Sequence, residues 1–175
     1  MALKATVLKL NLSISDLDRN HFEDYTLTVA QHPSETNERV MVRVLGFALY
    51  ACQDLRFGKG LATEEEAAVW EIDPTGAIKL WVDVGLPDES RLRKACGRSD
   101  KVVLITYGGK GADLWWRQNS EALARYKNLT VYQLSFEDSE KLAKLIDRNM
   151  KLAWTIQEGM VYLGEESVAL VQLSS

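Results

Sequence analysis

Cysteine is scarce: Cys52 and Cys96 are the only two in 175 residues, too few for a disulfide framework and without metal-finger spacing, so both read as small buried residues in a reducing compartment. Histidine is as sparse, with His21 and His32 alone. A zinc site of the usual Cys/His kind therefore has little to stand on, and any divalent metal would be a hard cation held by carboxylates. Three prolines and no Gly/Ser-rich stretch leave no linker or low-complexity segment, and no repeat appears at solenoid periods. There is no apolar run of signal-peptide or membrane-spanning length, so the expectation is a cytoplasmic protein without a membrane partner. Positive charge is also in deficit, 21 Lys and Arg against 25 Asp and Glu for a net charge of −4. That excludes the broadly basic surface behind non-specific nucleic-acid binding. Local basic patches remain, at Gly108-Gly109-Lys110-Gly111 and at Arg91, Arg93, Lys94 and Arg98.

What is present suits one domain over residues 1–175, because a chain of this length buries about 70% of its unfolded surface. Leu8, Leu10, Leu12 and Ile14 alternate with polar residues, as do Tyr25, Leu27 and Val29, the period of strands with one buried face. With turn-forming residues at 16–20 between them, residues 4–31 are expected to form an antiparallel pair. Pro33 stops the second strand, and Ser34 is placed to cap a helix over 34–54. Val40, Met41, Val44, Leu45, Phe47, Ala48 and Cys52 form its apolar arc, with Glu35, Glu38, Arg39 and Arg43 opposite. Gly46 shares the charged side. A mid-helix glycine costs about 1 kcal/mol against alanine, which implies close packing there.

Residues 69–73 and 77–84 read as a hairpin around Asp73-Pro74-Thr75-Gly76. Leu80, Val82 and Val84 face one way, Trp81, Asp83 and Gly85 the other, and a simple four-residue loop sets Asp83 opposite Glu66. A helix from Pro87-Asp88 to Cys96, closed by Gly97, and a buried strand at 101–107 complete a right-handed βαβ crossover. Helices at 112–126 and 138–148, a strand at 129–134 and a closing antiparallel meander at 154–157, 160–163 and 168–173 follow. The fold class is α/β with a mixed, α+β-like sheet, carrying an N-terminal β-hairpin and a C-terminal β-meander.

This order of helix, hairpin, helix and strand, with acids on the helix and hairpin, is similar to the core of the PD-(D/E)XK nucleases, the restriction-endonuclease-like fold. There, clustered carboxylates hold a metal that polarises a phosphodiester, and a lysine steadies the attacking water. Asp83 fits the third acid, but Gly85 stands where the motif has lysine and Ala67-Ala68 occupies much of the Pro-Asp place. Lys94 and Glu66 are the candidates to fill those gaps, with Glu38 as the helix acid. A solvated acidic run at 64–66 and a surface Lys94 are the plainer alternatives.

The run His32-Pro33-Ser34-Glu35-Thr36, then Glu38-Arg39, Arg43, Gly60-Leu61, Trp70, Trp81-Val82-Asp83-Val84-Gly85, Leu86-Pro87-Asp88 and Lys94-Ala95 resembles the bacterial YaeQ family, as do Leu17-Asp18-Arg19 and Trp115-Trp116. The likeness covers nearly the whole chain in order. It implies a variant of the restriction-endonuclease-like fold and supplies no substrate.

Two functions stay open. One is metal-dependent phosphodiester hydrolysis with Mg²⁺ or Mn²⁺, using Glu38, Asp83 and Lys94 as catalytic residues and Glu66 with Asp83 as metal ligands, on a nucleic acid. The other is a non-catalytic module in which Glu35, Arg39, Arg43 and Asp83, with Ser34 and Trp81 as further binding candidates, hold a protein partner or an anion. Glu35, Arg39 and Arg43 are spaced i, i+4, i+8; exposed, such a ladder is worth only about 0.2–0.5 kcal/mol per pair, but if covered it must be fully paired. The Gly108-Gly109 turn lacks phosphate-loop spacing and reads as a tight connection, and at least one of Trp115 and Trp116 belongs to the core.

Overall fold

A computed structural model describes residues 4–59 and 65–174. Its strands are β1 (Thr6–Asp16), β2 (His21–Gln31), β3 (Leu55–Phe57), β4 (Val69–Ile72), β5 (Ile78–Val84), β6 (Ser99–Thr106), β7 (Leu129–Leu134), β8 (Asn149–Gln157), β9 (Met160–Tyr162) and β10 (Ser167–Gln172). The helices are α1 (Asn37–Tyr50), α2 (Glu89–Arg98), α3 (Lys110–Leu123) and α4 (Phe136–Ala143). The strands form one mixed sheet in the order β2-β1-β8-β9-β10-β7-β6-β5-β4-β3. The α/β class with its N-terminal hairpin and C-terminal meander therefore stands.

The meander joins the two ends of the sheet. β10 pairs with β9 through Ser167–Ala169 and with β7 through Leu170–Gln172, while β8 runs parallel to β1. One apolar cluster consequently unites Leu8, Leu10, Leu12 and Ile14 of β1 with Leu80, Val82 and Val84 of β5 by way of α1. α1 is buried on every side, from Val40 through Ala48 without a break, as a helix enclosed by other elements must be. The close packing that Gly46 implied for the charged side is there, and Arg43 is buried with it. Gly46 is where it meets the sheet, since a Cβ there would lie 3.2 Å from Val82 Cγ1 and 3.7 Å from Ile105 Cδ1.

Four further expectations are corrected. α1 begins after Thr36, whose hydroxyl accepts from Arg39 N at 3.1 Å; Ser34 instead sits in a turn closed by Glu35 N donating to His32 O, and it does not cap the helix. Gly97 does not end α2, which continues to Arg98, and α4 is shorter than expected, capped by the Ser135 hydroxyl. Asp83 does not face Glu66. Ile72 pairs with Ile78, so the connection is five residues and not four, and Glu71 pairs with Leu80, so Lys79 is a further extra residue; together they shift the register by two and place Val69 opposite Val82.

On the other face Trp81 packs with Leu92 and Ala95 of α2, Leu123 of α3 and Val102, Leu104 and Val131 of the strands. The parallel order β5-β6-β7 brings the carboxyl ends of β5 and β6 side by side, with α1 covering one face of the sheet and α2 the other. In open α/β sheets this is where ligand crevices form. No helix among the described residues is long and apolar enough to cross a membrane.

Candidate functional site

Beyond the ends of β5 and β6 lies a cavity of about 530 Å³ lined by Arg39 of α1, Asp83 to Asp88 of the β5–α2 connection, Ser90, Arg91 and Lys94 of α2, and Tyr107 after β6. Gly85 permits the chain to leave β5: its φ is +101°, a conformation an L side chain rarely adopts, and its N–H donates to Ile105 O at 2.9 Å. A lysine in the motif position would be strained there. Trp115 Nε1 donates to Pro87 O at 2.9 Å and holds the opposite rim.

Asp83 is 3% exposed, and a buried carboxylate needs hydrogen-bond donors. Arg91 supplies them, with Nε to Oδ2 at 2.8 Å and Nη2 to Oδ1 at 3.2 Å, and Ala68 N adds a third donor at 3.3 Å. The same guanidinium reaches the Glu66 backbone carbonyl at 2.9 Å and lies 5.5 Å from the centre of the Trp81 ring, with Arg98 at the same distance. Trp81 is only 1% exposed, so it carries these cations and offers no open face to a ligand.

The second charged group lies across the sheet. Glu35, just ahead of α1, accepts from Arg39 Nη1 at 2.5 Å and from Arg43 Nε and Nη2 at 3.0 and 2.9 Å. Arg43 Nη2 also donates to Ala30 O of β2 at 2.9 Å, while its Nη1 is buried without a hydrogen-bond partner. Neither the Glu35 nor the Arg43 side chain is exposed. Burial pulls Arg43 below its ordinary pKa and Glu35 opposes the shift. What the spacing suggested as a helix ladder is thus one carboxylate holding two guanidinium groups, of which Arg39 reaches the cavity. Burial likewise pushes the Tyr107 hydroxyl up to about 12, so it stays protonated at neutral pH.

Of the candidate residues, Asp83, Lys94 and Arg39 line one cavity. The remaining acids go elsewhere. Glu38 accepts from the buried Ser139 hydroxyl at 2.9 Å, and the Glu66 carboxylate accepts from Lys59 N at 3.1 Å. Ser34 is bonded to His32 at 2.8 Å, outside the cavity. Gly60-Leu61 and Glu64 fall outside the described residues. No three His, Cys, Asp or Glu side chains among the described residues come together as a metal group. With Asp83 chelated by an arginine, the donor set does not fit Mg²⁺ or Mn²⁺.

Sequence reasoning singled out Arg91 only as part of a basic patch; its signal was the position four residues before buried Ala95, on the same side of α2. Leu86 stood only within the family-like run Leu86-Pro87-Asp88, and Ser90 had no signal. Tyr107 was visible only as the residue before the glycine turn.

Comparison with known proteins shows the family of the chain. The family model described as YaeQ protein matches residues 1–173. The chain belongs to the YaeQ family. It is 43% identical to the YaeQ proteins of Escherichia coli (strain K12) and Shigella flexneri, in each case over 95% of this chain and 92% of the relative. The crystal structure of YaeQ from Xanthomonas axonopodis pv. citri is similar at a TM-score of 0.92 and 44% identity, covering 98% of this chain and 99% of that one. That of YaeQ from Pseudomonas syringae has a TM-score of 0.93 at 34% identity, covering 98% and 97%.

Proposed function

We propose that this YaeQ-family chain is a binding protein whose cavity at the ends of β5 and β6 holds a small anionic ligand, at a site built like that of a PD-(D/E)XK nuclease but without its metal centre. The observation that carries the reading is the bidentate Arg91–Asp83 pair, which spends the central carboxylate on a guanidinium. Arg39 and Lys94, from helices on opposite faces of the sheet, then line a cavity open to an oxyanion. The volume of about 530 Å³ suits a small molecule, and the net charge of −4 counts against a long nucleic acid.

A second reading, metal-dependent phosphodiester hydrolysis, is favoured by one fact: Lys94 lines the same cavity as Asp83. Melting curves separate the two, because a ligand that binds the native state raises its melting temperature by mass action. Inorganic phosphate at millimolar concentration should raise it in the native chain and less in Lys94→Gln, whereas Mg²⁺ and Mn²⁺ should leave it unchanged. A rise with Mn²⁺ alone, accompanied by cleavage of an oligonucleotide, would replace the first reading with the second.

A further inference from the structure

The cavity is not uniformly polar. Leu86 is 41% exposed at its rim, among the few large apolar side chains of the described residues to face water, and it shares the lining with Pro87, Val84 and the Tyr107 ring. Trp115 fixes Pro87 by its carbonyl, so this apolar wall is held in place from behind. Arg39 is likewise fixed, by the buried Glu35 carboxylate. One lining thus carries a cation, Arg39, and an apolar surface, each anchored by a bond to a residue outside the cavity.

We propose that the ligand is an amphipathic small anion, a phosphate or carboxylate head on an apolar or aromatic body, with the head at Arg39 and Lys94 and the body against Leu86, Pro87 and Tyr107. The inference rests on the anion-binding reading above and adds the class of ligand. A bare inorganic anion would leave Leu86 in water. A hydrophilic polyanion would gain nothing from the apolar wall, while burying a phenyl-sized body against it strengthens binding. The protonated Tyr107 hydroxyl adds no negative charge to repel the head.

Calorimetric titration of the full chain with phenyl phosphate and inorganic phosphate, and separately with benzoate and acetate, tests this and shows whether phosphate or carboxylate is the preferred head. The expected result is binding of the aromatic member of at least one pair roughly tenfold or more tightly than its small counterpart, with Leu86→Ser bringing that ratio close to one. Because Leu86 is exposed, the variant keeps the fold. Equal affinities within both pairs would overturn this inference and leave the anion-binding reading standing. Binding by none of the four probes would overturn both.

Discussion

Arg91 grips Asp83 with two donors of one guanidinium, Nε at 2.8 Å and Nη2 at 3.2 Å, on a carboxylate that is 4% exposed in its side chain. This pair decides the chemistry of the site. An acid so held has little left to offer a cation, and removing one partner strands the other.

Asp83→Asn should therefore destabilise the fold, near the lower end of the roughly 3–5 kcal/mol typical of a broken buried pair, because Arg91 keeps some contact with water. Urea unfolding measures it. A variant as stable as the native chain, or more stable, would mean that Asp83 sits among repelling acids and not beside its arginine.

The buried triad makes a comparison of two variants informative. Glu35→Gln leaves Arg39 and Arg43 facing a neutral amide, at a cost of about 3–5 kcal/mol. Arg43→Met should cost clearly less, since Glu35 retains Arg39 and a side chain whose Nη1 has no partner is replaced by an apolar one of similar length. Equal losses in urea unfolding would show that Arg39 does not share the Glu35 charge.

Gly85→Lys restores the residue that the nuclease motif has two positions after its acid. At φ +101° it should cost about 1 kcal/mol or more in backbone strain, lower the melting temperature and generate no Mg²⁺-dependent cleavage of an oligonucleotide. Stability at the native level would contradict the backbone conformation assigned to Gly85.

Tyr107 and Tyr25 are both pushed up to about 12, chiefly by burial. The unfolded chain ionises its tyrosines near their ordinary value of 10, so their contribution is complete below that pH. As pH rises from about 10 toward 12 the unfolded state loses protons that the native state keeps, and stability falls. Urea unfolding at pH 9 and pH 11 should show the decline, and Tyr107→Phe should flatten it. A decline of the same size in the variant would remove Tyr107 from the account.

Much of the fold was legible because its strands carry one buried face: the alternations in β1 and β2 and the apolar run of β6 came directly from residue order. α1 was half legible. Its apolar arc was evident, but the burial of Arg43 depends on a partner, Glu35, that lies before the helix and is turned inward by Pro33-Ser34. β3, three residues long, has too few positions to show a period. The register at Asp83 was lost to two single-residue shifts that local sequence does not mark, a connection of five residues between Ile72 and Ile78 and the bulged Lys79. Asp83 was evident as a candidate acid, yet its partner was not, since Arg91 meets it only after α2 folds back across the strand.

Whether Asp83 belongs to an arginine or to a metal decides what the cavity can bind. Titration of Mn²⁺ followed by electron paramagnetic resonance, on the native chain and on Asp83→Asn, measures this directly. The two proteins should bind Mn²⁺ equally weakly, without a site that depends on Asp83. A Mn²⁺ site present in the native chain and lost in Asp83→Asn would contradict it.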